Sequence, residues 1–405
     1  MKLYIHDYTG HVGQVEIARA LASRGLDVCF SFCSDLSTPR GDLAPAAAAT
    51  TLTMESVGIG APIERKNYFK RQWQDVLYAR ELVRHVARRR PQVVFSANTP
   101  LVPQWALLRH CRRRGIPVVH WWTDVYSRAV RHGVGERFGP FGRVIAWFYE
   151  KLEIRLLRNS QAILAIAPQF KEIVDAWAVG TPFTVIPVAA PTEQIRPGSK
   201  RNPWSERHGV ADTLNVVYSG TLGIKHHPEL LYEIARSILD RPDCRVIVVA
   251  EGVGADALRQ LQSDSPLPNL VLLPFQLFED YANVLAAADV QVMTLNETAS
   301  AYALPSKVMS QLCSGRAQAA FVPAGNYVAR LVADAQAGIV HSPTDTVGAQ
   351  AAIRELLNDP ELRSRLGSNG REYAVQRLSV AVVTPLYERL ISQLIGGTLG
   401  NGDAA

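Results

Sequence analysis

Short apolar runs alternate with helical periods along almost the whole chain, and the alternation halts once and then restarts. The first series reads strand Lys2–His6, helix Gln14–Arg24 closed by Gly25, strands Asp27–Phe32 and Gln92–Phe95, helix Leu101–Arg112 and strand Pro117–Trp121. It continues with helix Glu150–Arg158, strand Ala162–Ala165, helix Pro168–Trp177 and strand Phe183–Ile186. Apolar runs of this kind between helical periods are the pattern of parallel strands buried under helices. Ala190–Asp212, rich in Pro, Gly and charge, has no period and reads as a linker. The second series then runs from strand Leu214–Tyr218 through helix Pro228–Leu239 to strand Ala317–Phe321 and helices near Tyr327–Ala335 and Val347–Asn358. The expectation is therefore an α/β chain of two doubly wound, Rossmann-like domains, 1–190 and 213–379, joined by 191–212. A last helical stretch, about 380–395, is expected to pack back on the first domain. Two such sheets are expected to face a central cleft, because ligands of open α/β sheets bind beyond the carboxyl ends of the strands.

Charge narrows the class of partner. Residues 1–200 carry 27 Lys+Arg against 16 Asp+Glu, and the remainder 16 against 21, so the net +6 hides a basic first half. Such asymmetry predicts an anionic surface or a phosphate-bearing acceptor for that half. No nucleic-acid recognition motif accompanies it. Lys66–Arg90 interleaves Lys66, Lys70, Arg71, Arg80, Arg84 and Arg88–Arg90 with Tyr68, Phe69 and Trp73. Phe138–Arg158 mixes Phe138, Phe141, Trp147, Phe148 and Tyr149 with Arg and Lys. These stretches read either as interfacial anchors on anionic lipid or as solvated helices with core aromatics. No window has the roughly 18 apolar residues of a spanning helix. The opening MKLYIHDYTG reads as a strand and glycine turn rather than a secretion signal, so a cytoplasmic location, peripheral on the membrane's inner face, is expected. Five scattered cysteines, Cys29, Cys33, Cys111, Cys244 and Cys313, argue for buried thiols rather than a disulfide framework or zinc.

Four loops at strand ends carry residues suited to chemistry. His6–Gly13 holds Gly10, His11 and Gly13 ahead of a helix. It reads as a phosphate or hydroxyl-rich acceptor cradle, or as a plain tight turn. Tyr218–Pro228 holds Gly220, Thr221, Gly223 and Lys225, a diphosphate cradle in composition although not a P-loop in spacing. The adjacent His226 and His227 lack the carboxylates of a metal site. Leu304–Val308 offers Ser306 as a helix cap and Lys307 as a cation at the same helix end, and Asn326 opens the next helix as cap or ligand donor. His120–Tyr126 carries Asp124, which reads as a cap or as a site carboxylate.

Taken together, HDYTGH (6–11), QVEIARALASRG (14–25), WWTD (121–124), YSGTLGIKHHPELL (218–231), LPFQLFEDYANVLAAADV (273–290), LPSKVMSQLCSGR (304–316) and VPAGNYVARLV (322–332) resemble glycosyltransferase family 4, of the GT-B fold. The resemblance is nearest to bacterial enzymes of exopolysaccharide and O-antigen assembly, and it spans nearly the whole chain. It implies a retaining, metal-independent transfer of a sugar from a nucleotide-diphosphate sugar to a lipid-linked or saccharide acceptor, with no cofactor. It assigns donor contacts to Gly10, Gly220, Thr221, Lys225, Glu251, Phe275, Gln276, Ser306, Lys307 and Asn326, and acceptor contacts to His11, Gly13 and Asp124. Lys225, Lys307 and Asp124 become the catalytic candidates, the lysines stabilising charge on the departing β-phosphate. Many relatives have two glutamates where Tyr302 and Ser310 stand here, and His-Asp where this chain has Thr123-Asp124. A sugar-nucleotide epimerase, or an inactive transferase-like partner subunit, would share the same architecture.

Overall fold

The computed structural model describes residues 1–36, 43, 51–64, 67–131, 139–223, 225–297, 305 and 307–396. Ser306, Tyr302, Lys66 and Phe138, all named above, lie outside the described residues. The chain divides into two compact units. One comprises Met1–Ala189 with the chain from Val380, and the other Ala190–Ser379.

In the first unit β1 (Lys2–Asp7), α1 (Val12–Ser23), β2 (Asp27–Cys33), β3 (Leu52–Val57), α2 (Tyr68–Arg89), β4 (Val93–Ala97), α3 (Leu101–Arg113) and β5 (Val118–Trp122) follow in order. Then come α4 (Tyr126–Val130), α5 (Gly139–Asn159), β6 (Ala162–Ala165), α6 (Phe170–Ala176) and β7 (Phe183–Val185). Among the described residues the strands form a seven-stranded parallel sheet in the order β3-β2-β1-β4-β5-β6-β7. β4 and β5 are buried along their whole length, as strands covered on both faces must be. α1 exists because Val15, Ile17, Ala18 and Leu21 give it one buried face. The His11 ring caps it by accepting from the Gly13 amide at 3.2 Å. Gly13 lies against the segment after β7, where a Cβ would make ordinary contact with Val188 at 3.4 Å.

The final helix α15 (Val380–Gly396) belongs to this unit and packs on α1. Tyr387 is its main anchor, its ring 5.1 Å from Trp121 and 6.3 Å from Phe95, while Arg24 and Glu388 pair at 2.7 Å.

The second unit contains α7 (Pro203–Arg207), β8 (Leu214–Ser219), α8 (Pro228–Ser237), β9 (Cys244–Val249), α9 (Val253–Asp264) and β10 (Leu270–Leu273). It continues with α10 (Tyr281–Ala286), β11 (Val290–Thr294), α11 (Lys307–Cys313), β12 (Ala317–Phe321), α12 (Tyr327–Asp334), β13 (Gly338–His341), α13 (Thr346–Asn358) and α14 (Pro360–Tyr373). Its parallel sheet runs β10-β9-β8-β11-β12-β13. The two sheets therefore share one winding plan, with the chain reversing direction across the sheet between β1 and β4 in one unit and between β8 and β11 in the other.

Residues 191–212, expected as a linker, are instead built into the second unit. Asn202 caps α7 through a reciprocal pair with Ser205, and Trp204 is fully buried among Val217, Ile247 and Val284. One large aromatic in a Pro- and Gly-rich stretch is enough to seat the segment, although it leaves no periodic signal. All five cysteines are free and buried, with Cys29 and Cys33 in one core cluster.

Candidate functional site

In a doubly wound sheet the crossover loops diverge where the strand order reverses, leaving a crevice at the carboxyl edge. The predicted loops after β1 and β8 fall at these reversals, and the one after β5 lies one strand beyond.

In the first unit the loop after β1 meets the loop after β4. Asp7, fully buried, accepts at Oδ1 from the Thr9 amide (3.1 Å), the Thr9 hydroxyl (3.0 Å) and the Asn98 side chain (2.8 Å), and at Oδ2 from the His11 amide (2.7 Å). Gly10 takes φ +72°, which a glycine adopts without strain. Asn98, itself at φ +53°, accepts from the Thr123 hydroxyl at 2.5 Å and so ties in the loop after β5, where Asp124 is exposed. That loop is held from beneath by Glu153 of α5. The buried Glu153 carboxylate accepts from the Trp122 indole (3.0 Å) and from the amides of Tyr126 (3.0 Å) and Ser127 (2.9 Å). Burial raises its pKa and these donors oppose the rise. Gly10, His11, Gly13 and Asp124 thus share one carboxyl edge, organised by Asp7, Asn98 and Glu153. The Asp-x-Thr turn signature could have revealed Asp7. Glu153, inside a helix, gives no signal in sequence.

In the second unit Lys307, the first residue of α11, reaches back to the loop after β8. Its ammonium donates to the Tyr218 hydroxyl at 2.5 Å and lies 4.0 Å from that ring's centre, and Tyr218 donates in turn to the Thr221 carbonyl at 2.8 Å. Gly220 lies against the Lys307 side chain and takes φ +123°, which a glycine adopts without strain. No carboxylate pairs with Lys307 among the described residues, and burial pushes its pKa down to about 7. Lys225 is exposed on the same loop, and its carbonyl accepts from the Asn296 amide at 2.8 Å, a bond that spans the β8/β11 reversal. Burial and then Lys307 push the His226 pKa down to about 4, with Lys225 adding to the effect, so both lysines act on this one ring. The His226 ring bonds the Gly223 backbone and the His227 ring the Pro343 carbonyl, so the pair serves the loop's shape.

The neighbouring turn after β9 is interlocked with this loop. The Leu222 amide donates to the Glu251 carbonyl, the Gly254 amide donates to the Leu222 carbonyl, and a Cβ on Gly252 would stand 2.8 Å from that same carbonyl oxygen. Gly220, Thr221, Lys225, Lys307 and Glu251 are thereby one cluster.

Two other sequence candidates are placed differently. Gln276 is engaged through its side chain, accepting from the Trp204 indole at 3.0 Å and donating to the Pro274 carbonyl, beside the exposed Phe275. Asn326 is 1% exposed and caps α12 by accepting from the Val328 amide at 2.9 Å, so of the two readings offered for it the cap is the one seen. Tyr218 was missed because a tyrosine in a buried strand looks like any core residue.

Comparison with known proteins identifies the class. Residues 11–189 match the family described as "Glycosyl transferase 4-like domain" and residues 213–359 match "Glycosyl transferases group 1". The chain belongs to glycosyltransferase family 4, group 1, and its two sheets are those of the GT-B fold. Alpha-D-kanosaminyltransferase of Streptomyces kanamyceticus is 25% identical over 185 residues, 45% of this chain and 46% of that protein, so the match spans about half the length of that relative. Sucrose-phosphate synthase from Thermosynechococcus elongatus superposes with TM-score 0.75 at 14% identity, over 98% of this chain and 100% of that one. HepE of Anabaena, solved with UDP, superposes with TM-score 0.69 at 13% identity, over 97% and 100%. HepE has also been solved with UDP-glucose.

Proposed function

We propose that the chain is a retaining glycosyltransferase that takes a nucleotide-diphosphate sugar in its second unit and a lipid-linked or saccharide acceptor in its first, for cell-surface polysaccharide assembly, without a metal ion. The observation that carries this reading is Lys307. A half-buried ammonium with no carboxylate partner among the described residues, against a left-handed glycine turn, is a site prepared for an anion. A diphosphate suits it, since Lys225 adds a second cation on the same loop, beside the half-buried Gly220 and the exposed Thr221. The UDP bound to HepE agrees with a nucleoside diphosphate as the ligand class.

In this mechanism the anomeric carbon–oxygen bond to the β-phosphate breaks as the acceptor oxygen bonds to the same carbon from the same face, and the proton of the acceptor hydroxyl passes to the departing phosphate oxygen. Negative charge accumulates on the departing diphosphate, where Lys307 and Lys225 stabilise it; preorganised donors of this kind are typically worth about 3–4 kcal/mol each. Asp124 is proposed to orient the acceptor hydroxyl, with His11 and Gly13 beside it. Gly10 is assigned to the donor by the family resemblance alone. Glu251, Phe275 and Gln276 are proposed around the base and sugar, and Ser306 completes the donor set from the resemblance. Asn326 is proposed to act through the α12 amide end that it shapes.

A thermal-shift screen against UDP-, GDP- and dTDP-sugars tests the reading, because a ligand that binds only the folded state raises the melting temperature. One donor class should stabilise the protein, and Lys225→Ala should cut turnover at least about a hundredfold. If donor alone yields an isomerised nucleotide sugar, the epimerase reading replaces this one.

A further inference from the structure

Helix α5 turns one face into solvent, and its composition is lopsided. From Phe141 onward the exposed positions are Phe141, Arg143, Val144, Trp147, Phe148, Lys151, Arg155 and Arg158. Half are large apolar residues, 53–61% exposed, half are cations, and none is acidic. Within the face the two kinds are ordered along the axis, with Arg143 and Trp147 flanking the main row. Phe141, Val144, Phe148, Lys151, Arg155 and Arg158 recur every three or four residues, so they form a single stripe that is apolar in its amino half and cationic in its carboxyl half.

The cationic half borders a cavity of about 400 Å³ that Lys151, Arg155, Arg158 and Trp177 line with Glu150. Glu150 is paired with Arg131 at 2.5 Å, and Arg155 lies 5.0 Å from the centre of the Trp105 ring. Beside the apolar half, Tyr149 donates to Gln72 of α2, and the next residue of α2, Trp73, is 62% exposed. Large apolar side chains grouped in solvent mark an interaction surface rather than chance exposure.

We propose that this face of α5 docks on an anionic lipid bilayer, with Phe141, Val144, Trp147 and Phe148 entering the acyl boundary and Lys151, Arg155 and Arg158 taking acidic head-group phosphates. The lack of acidic residues on the face selects an anionic surface, and the order along the stripe matches the layering of a bilayer edge. The centres of the two halves are about ten residues, or about 15 Å, apart along the axis, so a helix tilted by about 20–40° sets one about 5–10 Å deeper than the other, the usual depth of an interfacial helix. The assignment stands apart from the donor chemistry above, because it is read without nucleotide.

Flotation of the full chain with vesicles of phosphatidylcholine alone and with 30% phosphatidylglycerol (about 0.1 M salt) tests it. The protein should float with the anionic vesicles and be released at about 0.5 M salt. Trp147→Ser with Phe148→Ser, and separately Lys151→Gln with Arg155→Gln and Arg158→Gln, should each lower partition about a hundredfold while UDP binding is unchanged. Equal partition onto both vesicle types overturns the proposal, and so does release of wild type by 10 mM inorganic phosphate (about the same ionic strength held by salt). It is also overturned if wild type does not float and is a dimer that Trp147→Ser with Phe148→Ser converts to monomer.

Discussion

The two strand-order reversals have the same topology and opposite chemistry. At β1/β4 the central group is Asp7, whose two oxygens accept four hydrogen bonds from Thr9, His11 and Asn98. At β8/β11 it is Lys307, whose ammonium has the Tyr218 hydroxyl and ring face and no carboxylate among the described residues. One charge is consumed in shaping a loop, while the other is left under-compensated at the cost of a pKa pushed down to about 7. A winding plan thus provides the same crevice twice, and the side chains decide whether its central charge is taken up by the loop or left under-compensated.

The sharpest way to break this contrast is to delete both groups. Lys307→Ala should leave the fold intact and lower turnover up to about a thousandfold, the cost of removing one donor to a departing oxyanion. Asp7→Ala should act on stability first. It strands up to four donors, at about 1–3 kcal/mol for each that stays buried and unsatisfied, so the melting midpoint should drop while UDP affinity in the second unit is unchanged. Equal effects of both variants on UDP affinity would falsify the division of labour.

Acidity offers a gentler perturbation. Lys307 has a folded pKa lowered from 10.5 to about 7 by burial, so between those values the unfolded chain holds a proton that the folded chain has released. Stability gained from this group therefore rises with pH across that window. Diphosphate binding runs the other way, because the anion favours the charged ammonium and the complex must recover the proton. UDP affinity should fall up to about tenfold per pH unit above about 7, with proton uptake visible by calorimetry in buffers of different ionisation enthalpy. Lys307→Ala should abolish the uptake; a pH-independent affinity in wild type would assign the anion elsewhere.

Much of this was legible in the sequence because the same residues carry a backbone signal and a charge. Gly220 directly follows a strand whose end was readable from its apolar run, and Lys307 opens the helix that leads from β11 to β12. What escaped lacked an apolar or polar code. α14 has a polar composition, and part of its buried face is Gly367 and Gly370, where a Cβ would stand 2.2 Å from the Gly315 carbonyl oxygen and 3.1 Å from Ala337. A helix that packs through glycine is invisible to hydrophobic periodicity. α7 escaped for the opposite reason, since a single Trp204 anchors it. Tyr218 and Glu153 read as core and helix surface until their partners are seen.

The smallest test concerns Asn326, a candidate whose side chain is seen capping a helix. Its side chain accepts from the Val328 amide and is almost wholly buried, so the cap alone predicts a loss of about 1 kcal/mol for Asn326→Ala and little for Asn326→Ser, which can cap equally well. A direct donor contact predicts something else: serine would restore stability without restoring affinity, because a hydroxyl is shorter than the carboxamide. Measuring the melting midpoint and UDP-sugar affinity of both variants separates the cases. Restoration of both by serine is the expected result, since a side chain committed to the first turn of α12 orients the helix amides and acts on a phosphate through them.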